Sequence, residues 1–309
     1  MRIAMSLAAW AVAASAMAAV PGPDRPITDP RSIVSVANPG ARPVAIADLF
    51  ETRGAAGAVL SPDGKAVVFS SNISGRFNLW KVAVGGGAPT PLAKSEERQY
   101  GPTISPDGRW VVFQSDTGGN ELYDLYAVPL AGGAVVNLTA TDDASEQGPI
   151  FSPNGGLIAY SRKLKAAPQS DIWVLDPNTR EKRALTHEAS ANQQWSPVAF
   201  TADGRFLIAN RGDVNQTGRA AWRIDVASGK AEKITPGDDR HLVGASDVSA
   251  DGALLAITAN LTGAQEQAGV LDLKTGKIRW LKPSPWEERP SRRMARACSI
   301  RSTPTAARR

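Results

Sequence analysis

One cysteine and two histidines in 309 residues leave little material for metal or redox chemistry. A single Cys excludes an internal disulfide framework and a Cys-cluster zinc site, and two His exclude a His-rich metal cage. Beyond the first residues, no stretch approaches the roughly 18 to 20 apolar residues that a membrane-spanning helix needs. The nucleophile elbow G-x-S-x-G, which places a reactive Ser on a strained strand-to-helix turn, is also missing. No catalytic residue, cofactor-binding residue or metal ligand is assigned, and no cofactor is expected.

Acidic residues are outnumbered, 30 against 35 basic, for a net charge of +5 and a pI near 9.4. Such a balance suggests a nucleic-acid or membrane-surface partner only if the charge sits on the folded body. It does not. Seven Arg and no Asp or Glu lie from Arg289 onward, so without that tail 28 basic residues face 30 acidic ones. The body is mildly acidic, and no nucleic-acid partner is expected. A hydrophobic content of 42% suffices for a core and argues against a disordered chain.

Residues 1–18 read as a signal peptide. Arg2 supplies the positive start, Ile3 to Val12 the apolar run, and Ala16-Met17-Ala18 the small-x-small cleavage pattern. An uncleaved anchor is the alternative; with cleavage, no membrane span remains. A periplasmic or secreted location follows. Residues 19–43 form a Pro-rich lead-in without regular structure, and Ile46 to Glu51 is a candidate single helical turn.

The rest, 44–286, is a repeat. SPDG stands at 61–64 and 105–108, SPNG at 152–155, TADG at 201–204 and SADG at 249–252, spaced by 44, 47, 49 and 48 residues. Each copy separates two runs rich in Val, Ile, Leu and aromatics, for example KAVVFSS and RWVVFQSD after the turn. Asp-Gly or Asn-Gly between such runs marks a hairpin, because these residues tolerate the positive φ of a tight turn. Asp63, Gly64, Asp107, Gly108, Asn154, Gly155, Asp203, Gly204, Asp251 and Gly252 are therefore read as structural turn residues. A third strand follows each hairpin, as in FNLWKVAV (77–84) and DIWVLD (171–176), and a short fourth strand follows that, as in TPLA and KRALT. Four antiparallel strands per period of about 45 residues predict an all-β propeller of about five four-stranded blades. Trp80, Tyr126, Trp173 and Trp222 recur in mid third strand and are read as packing between blades.

The opening IADLFETRGAAGAVLSPDGKAVVFSS, the phrase GGNELYDLYAVP and the segment LKPSPWE (281–287) resemble the N-terminal propeller of prolyl oligopeptidase family serine peptidases, in the acylaminoacyl and dipeptidyl peptidase branch. TolB-like propellers share the SPDG repeat and are the next resemblance. In the peptidases the propeller caps an α/β-hydrolase domain and admits only short or unfolded peptides, and the Ser-Asp-His triad lies in that second domain. No triad residue carries over to this sequence. His187 and His241 fall in inter-blade loops and are read as surface residues. The carboxylate pairs Glu96-Glu97 and Asp142-Asp143 are read as solvated loop charge, with capture of a substrate amino terminus as the alternative.

Residues 287–309 are an irregular basic tail that holds the one Cys, Cys298. With GC-rich codons chosen for Pro290 to Ala306, a one-base shift reads FSPDGARVLYSINADG, a sixth copy of the repeat in register. The expectation is a frameshift near Glu287 or Glu288 that truncates a longer peptidase and leaves an incomplete ring, inactive by itself. The alternative is a stand-alone TolB-like propeller that docks a protein partner. A propeller lactonase or quinone enzyme would need ligand clusters at the channel mouth, which the sequence does not display.

Overall fold

The computed structural model describes residues 52–281, apart from Asp239 and Ala264. The signal peptide, the lead-in, the helical turn at 46–51 and the basic tail lie outside the described residues. So do the last residues of the resembling segment, 282–287.

All described strands fall in the compact unit Arg53–Arg309. The first blade comprises β1 (Ala55–Leu60), β2 (Ala66–Ser71), β3 (Asn78–Ala83) and β4 (Thr90–Ala93). The second holds β5 (Gln99–Ile104), β6 (Trp110–Ser115), β7 (Asp124–Pro129) and β8 (Val136–Asn137). The third holds β9 (Ala144–Phe151), β10 (Ile158–Leu164), β11 (Asp171–Leu175) and β12 (Lys182–Ala184). The fourth is β13 (Gln193–Phe200), β14 (Phe206–Asp213), β15 (Arg219–Asp225) and β16 (Ala231–Lys233). Last come β17 (Val243–Val248), β18 (Leu254–Ala259), β19 (Gln267–Asp272) and β20 (Ile278–Trp280). Each blade is an antiparallel meander in chain order, the arrangement its hairpin turns dictate.

Every first strand carries a register shift against its second strand. In the first three blades the extra residue is a glycine with φ near +60°, at Gly57, Gly101 and Gly148. A bulge bends the strand and raises its twist, so it curves the strand that faces the next blade. Gly57 also lies close to the second blade, where an added Cβ would stand 3.2 Å from Pro102.

The core lies between blades. Val68, Leu79, Val111, Phe113 and Val128 form the layer between the first and second blades. Val112, Leu125, Ile158, Tyr160 and Leu175 form the next. Equivalent layers join the third blade to the fourth, and the fourth to the fifth. Each layer draws on two sheets because a strand's side chains alternate, so one face of every blade meets each neighbour. Successive first strands β1, β5, β9, β13 and β17 pack in sequence. Among the described residues no comparable packing joins the first blade to the fifth, so the ring is open. Accordingly β1 is mostly exposed, with Leu60 at 59%.

Three of the four third-strand aromatics lie in these layers, whereas Trp80 is buried but belongs to none of them. Tyr126 packs on the first layer, stacked on Phe113 at 5.7 Å, and Trp173 on the second. Trp222 sits edge-on to Trp195 at 5.4 Å in the third. The fifth blade has Gly269 there instead. Its paired residue Trp280 leans over the glycine, where a Cβ would come within 3.0 Å of the indole, and packs on the layer shared with the fourth blade.

Candidate functional site

The two ends of the blades differ in chemistry. At the turn end, Ser61 Oγ donates to Asp63 Oδ1 at 2.6 Å and accepts the Ala66 N–H at 2.9 Å. Asp63 Oδ1 also accepts the Lys65 N–H at 3.1 Å, and Gly64, at φ +71°, donates its N–H to the Ser61 carbonyl at 2.8 Å. The same bonds recur around Asp107 and Gly108, Asn154 and Gly155, Asp203 and Gly204, and Asp251 and Gly252. The Ser105 hydroxyl, followed by the Arg109 N–H groups, holds the Asp107 carboxyl at about 2. A carboxylate whose lone pairs serve its own turn is a poor proton acceptor. A shallow cleft of about 560 Å³ opens beside these turns between the first two blades, lined by Asp63, Lys65, Lys81, Thr90 and Leu130.

The opposite end carries the loops that cross from one blade to the next. There the first residue of a third strand ties down the crossing. Asp124 Oδ1 accepts the Thr139 hydroxyl at 3.0 Å and the Thr141 N–H at 2.9 Å. Asp171 Oδ1 accepts the Thr186 hydroxyl at 2.8 Å and the Glu188 N–H at 2.7 Å. These hydroxyls in turn accept the buried N–H groups of Leu125 and Ile172, and Thr235 does the same for Ala221. Ala93 has no hydroxyl to offer at this place, and Gln99 of the next blade accepts the Leu79 N–H instead. Each solution satisfies a backbone donor that would otherwise be buried unpaired.

Two blades build an acid, arginine and aromatic station on this frame. In the third, Arg162 lies 4.9 Å over the Trp173 ring and donates to Glu146 at 3.2 Å. Glu146 is fully buried and accepts the Thr141 hydroxyl at 2.9 Å. In the fourth, Arg211 stands 5.8 Å from both Trp195 and Trp222 and grips Glu188 with two bonds of 2.7 and 3.0 Å. Trp195 Nε1 donates to Glu188 at 2.8 Å. Glu146 and Trp195 both precede their turn hydroxyl by six residues, and Arg162 and Arg211 both follow it by ten. The acid thus sits on the first strand in one blade and on the crossing loop in the other, with its partner exchanged accordingly. Burial pushes the Glu146 carboxyl up, whereas the bonds from Arg211 hold Glu188 down at about 2.

The sequence-predicted residues do not converge. Glu96, Asp142 and His187 are exposed on crossing loops. Glu97 accepts the Gly118 N–H at 2.8 Å, Asp143 lies 3.5 Å from Arg162, and His241 pairs with Asp238 at 2.8 Å. Among the described residues no three His, Cys, Asp or Glu side chains gather to hold a metal, and no helix is long and apolar enough to cross a membrane. Sequence reasoning missed Asp124, Asp171, Glu146, Glu188, Arg162 and Arg211. The Leu-Thr pair closing a fourth strand and the Asp opening a third were the available signals.

An open ring of four-stranded antiparallel blades, joined face to face and closed at each hairpin by an Asp-Gly or Asn-Gly turn, defines a β-propeller domain. The sequence matches the family described as TolB beta propeller domain over residues 45–199, and the chain belongs to that family. Comparison with curated proteins finds no match. Among solved structures, TolB from Agrobacterium tumefaciens aligns with a TM-score of 0.57 at 19% identity, over 74% of this chain and 81% of that one. A puromycin hydrolase aligns at 0.58 and 15%, over 75% of this chain and 38% of the hydrolase. A puromycin-hydrolyzing peptidase of Mycobacterium tuberculosis aligns at 0.55 and 19%, over 73% and 38%. The chain therefore resembles both TolB and peptidase propellers, and spans under half the length of the peptidases.

Proposed function

We propose that this propeller is the non-catalytic, substrate-gating cap of a periplasmic or secreted serine peptidase, whose α/β-hydrolase domain lies outside these 309 residues. The observation that carries the reading is the alignment of three quarters of this chain with 38% of a puromycin hydrolase, the share expected of one domain in a two-domain enzyme. The phrase GGNELYDLYAVP supports it, since its Asp124 ties the blade crossing and its Tyr126 packs between blades. In this reading the peptide substrate meets the cap first and the reaction occurs elsewhere, so the chain alone hydrolyses nothing.

The test is the gene beyond codon 288, read in the shifted frame. Further blades ending in a G-x-S-x-G are the expected outcome, and a stop codon or unrelated sequence there overturns the reading. Assay of the purified chain on aminoacyl and dipeptidyl chromogenic amides adds a second check. Turnover blocked by a serine-reactive inhibitor contradicts a non-catalytic chain.

A second reading is a stand-alone TolB-like propeller that docks a protein at one face. Its support is the alignment with 81% of the A. tumefaciens TolB.

A further inference from the structure

The four layers between blades follow one pattern, and both ends of the array leave it unfinished. On each second strand the third residue after the turn glycine faces the preceding blade, and Val111, Ile158, Leu207 and Leu255 are fully buried there. Their first-strand partners Ile104, Phe151, Phe200 and Val248 pack in the same layers. The first blade carries Val67 and its partner Leu60 at these places, the one half-buried and the other 59% exposed. The next residue along faces the following blade. Val68, Val112, Ala159 and Ile208 are buried, whereas Ala256 of the fifth blade is only half-buried.

A polar side chain two residues further on fastens the first strand of the next blade. Gln114 accepts the Gly148 N–H at 3.0 Å, and Asn210 accepts the Ala245 N–H at 2.8 Å while donating to the Ala245 carbonyl at 2.9 Å. Pro197, at the place of Gly148 and Ala245, has no N–H to give, and Ser161 donates instead to the Trp195 carbonyl at 2.7 Å. In the fifth blade the position is held by Thr258, exposed and with no first strand before it. At the other end Gly57 stands in β1 where Gly148 and Ala245 stand in theirs, also exposed.

The outer faces of the first and fifth blades are therefore the two halves of one more layer. We propose that a second copy of this chain completes it, seating its first blade on the fifth blade of the first copy. The 28 residues after Leu281 fall short of the 44 to 49 that one blade takes. The proposal concerns the chain of these 309 residues; in the longer peptidase proposed above, a further blade takes the same face. Each copy offers a different face to the contact, which is thus heterologous and either closes on itself or propagates. In dilute solution the copies part and β1 is uncovered.

Sedimentation of the full chain between about 1 and about 100 μM, where exposed apolar sheet drives association, tests the contact. A mass that rises with concentration is expected, with stronger amide protection of β1 at the upper end. Leu60→Arg and Thr258→Arg each put a charge on one face, at a site exposed in the single chain, and each variant is expected to stay monomeric. Their equimolar mixture is expected to form a dimer and nothing larger. There the intact first blade of Thr258→Arg seats on the intact fifth blade of Leu60→Arg, and the two remaining faces are blocked. A single-chain mass at every concentration, association that survives either substitution, or a mixture that stays monomeric overturns the proposal.

Discussion

Glu146 and Glu188 do the same job at the same end of adjacent blades, and their proton equilibria run in opposite directions. Arg211 holds Glu188 down from 4.5 to about 2, so the native state binds its proton more weakly than the unfolded chain does. That difference stabilises the fold fully above about 4.5 and is lost as pH falls towards 2, by on the order of 3 kcal/mol at most. Burial holds Glu146 above 4.5, so its contribution is most favourable below that pH and declines as pH rises through the raised value. Urea unfolding between pH 3 and pH 8 is expected to separate them. Glu188→Gln should lose much of the acid-side fall in stability, and Glu146→Gln should flatten the decline on the other side. Identical profiles for the two variants would contradict this assignment. The turn residues Asp63, Asp107, Asp203 and Asp251 were legible from the sequence because a turn is local. The two glutamates were not, since each gains its meaning from an Arg on another segment.

In the second and third blades the fourth strand is followed by a hydroxyl with two duties, accepting a third-strand N–H and donating to the Asp that opens that strand. Thr186 takes the buried N–H of Ile172 and donates to Asp171, which also receives the Glu188 N–H. One side chain therefore secures a strand and the path of the chain into the next blade. Thr186→Val keeps the shape and removes the hydroxyl, so the Ile172 donor is left buried and unpaired. A loss of about 1–3 kcal/mol in urea unfolding is expected, with most of it restored by Thr186→Ser. Equal losses in both variants would mean that packing of the methyl group, rather than the hydroxyl, secures the crossing. The strands themselves were readable from composition and turn chemistry. The bulges were not, because a register shift depends on the partner strand as much as on Gly57, Gly101 or Gly148.

Stability across the whole molecule is expected to be graded, because each blade borrows its core from its neighbours. The inner blades are covered on both faces, with Val111, Leu125, Ile158 and Leu207 fully buried, whereas β1 is covered on little of its length. In such quasi-one-dimensional arrays, interfaces between neighbouring units supply much of the stability. Amide exchange should be slowest in β6, β10 and β14 and fastest in β1, with the fourth-strand edges intermediate. Uniform protection across all five blades would indicate that the first blade is covered by something else, such as ring closure or self-association.

The sequence by itself determined the blade count, the strand order and the turn chemistry, because a hairpin is a local object set by a few residues and their φ preferences. It also located the basic charge outside the repeat. An incomplete ring and aromatic packing between blades were also expected from it; tertiary structure alone decided which side chains fill each layer and which meet at the crossing-loop end. Glu146, Glu188, Arg162 and Arg211 are unremarkable in a linear reading. They become stations only when blade packing brings distant segments into contact.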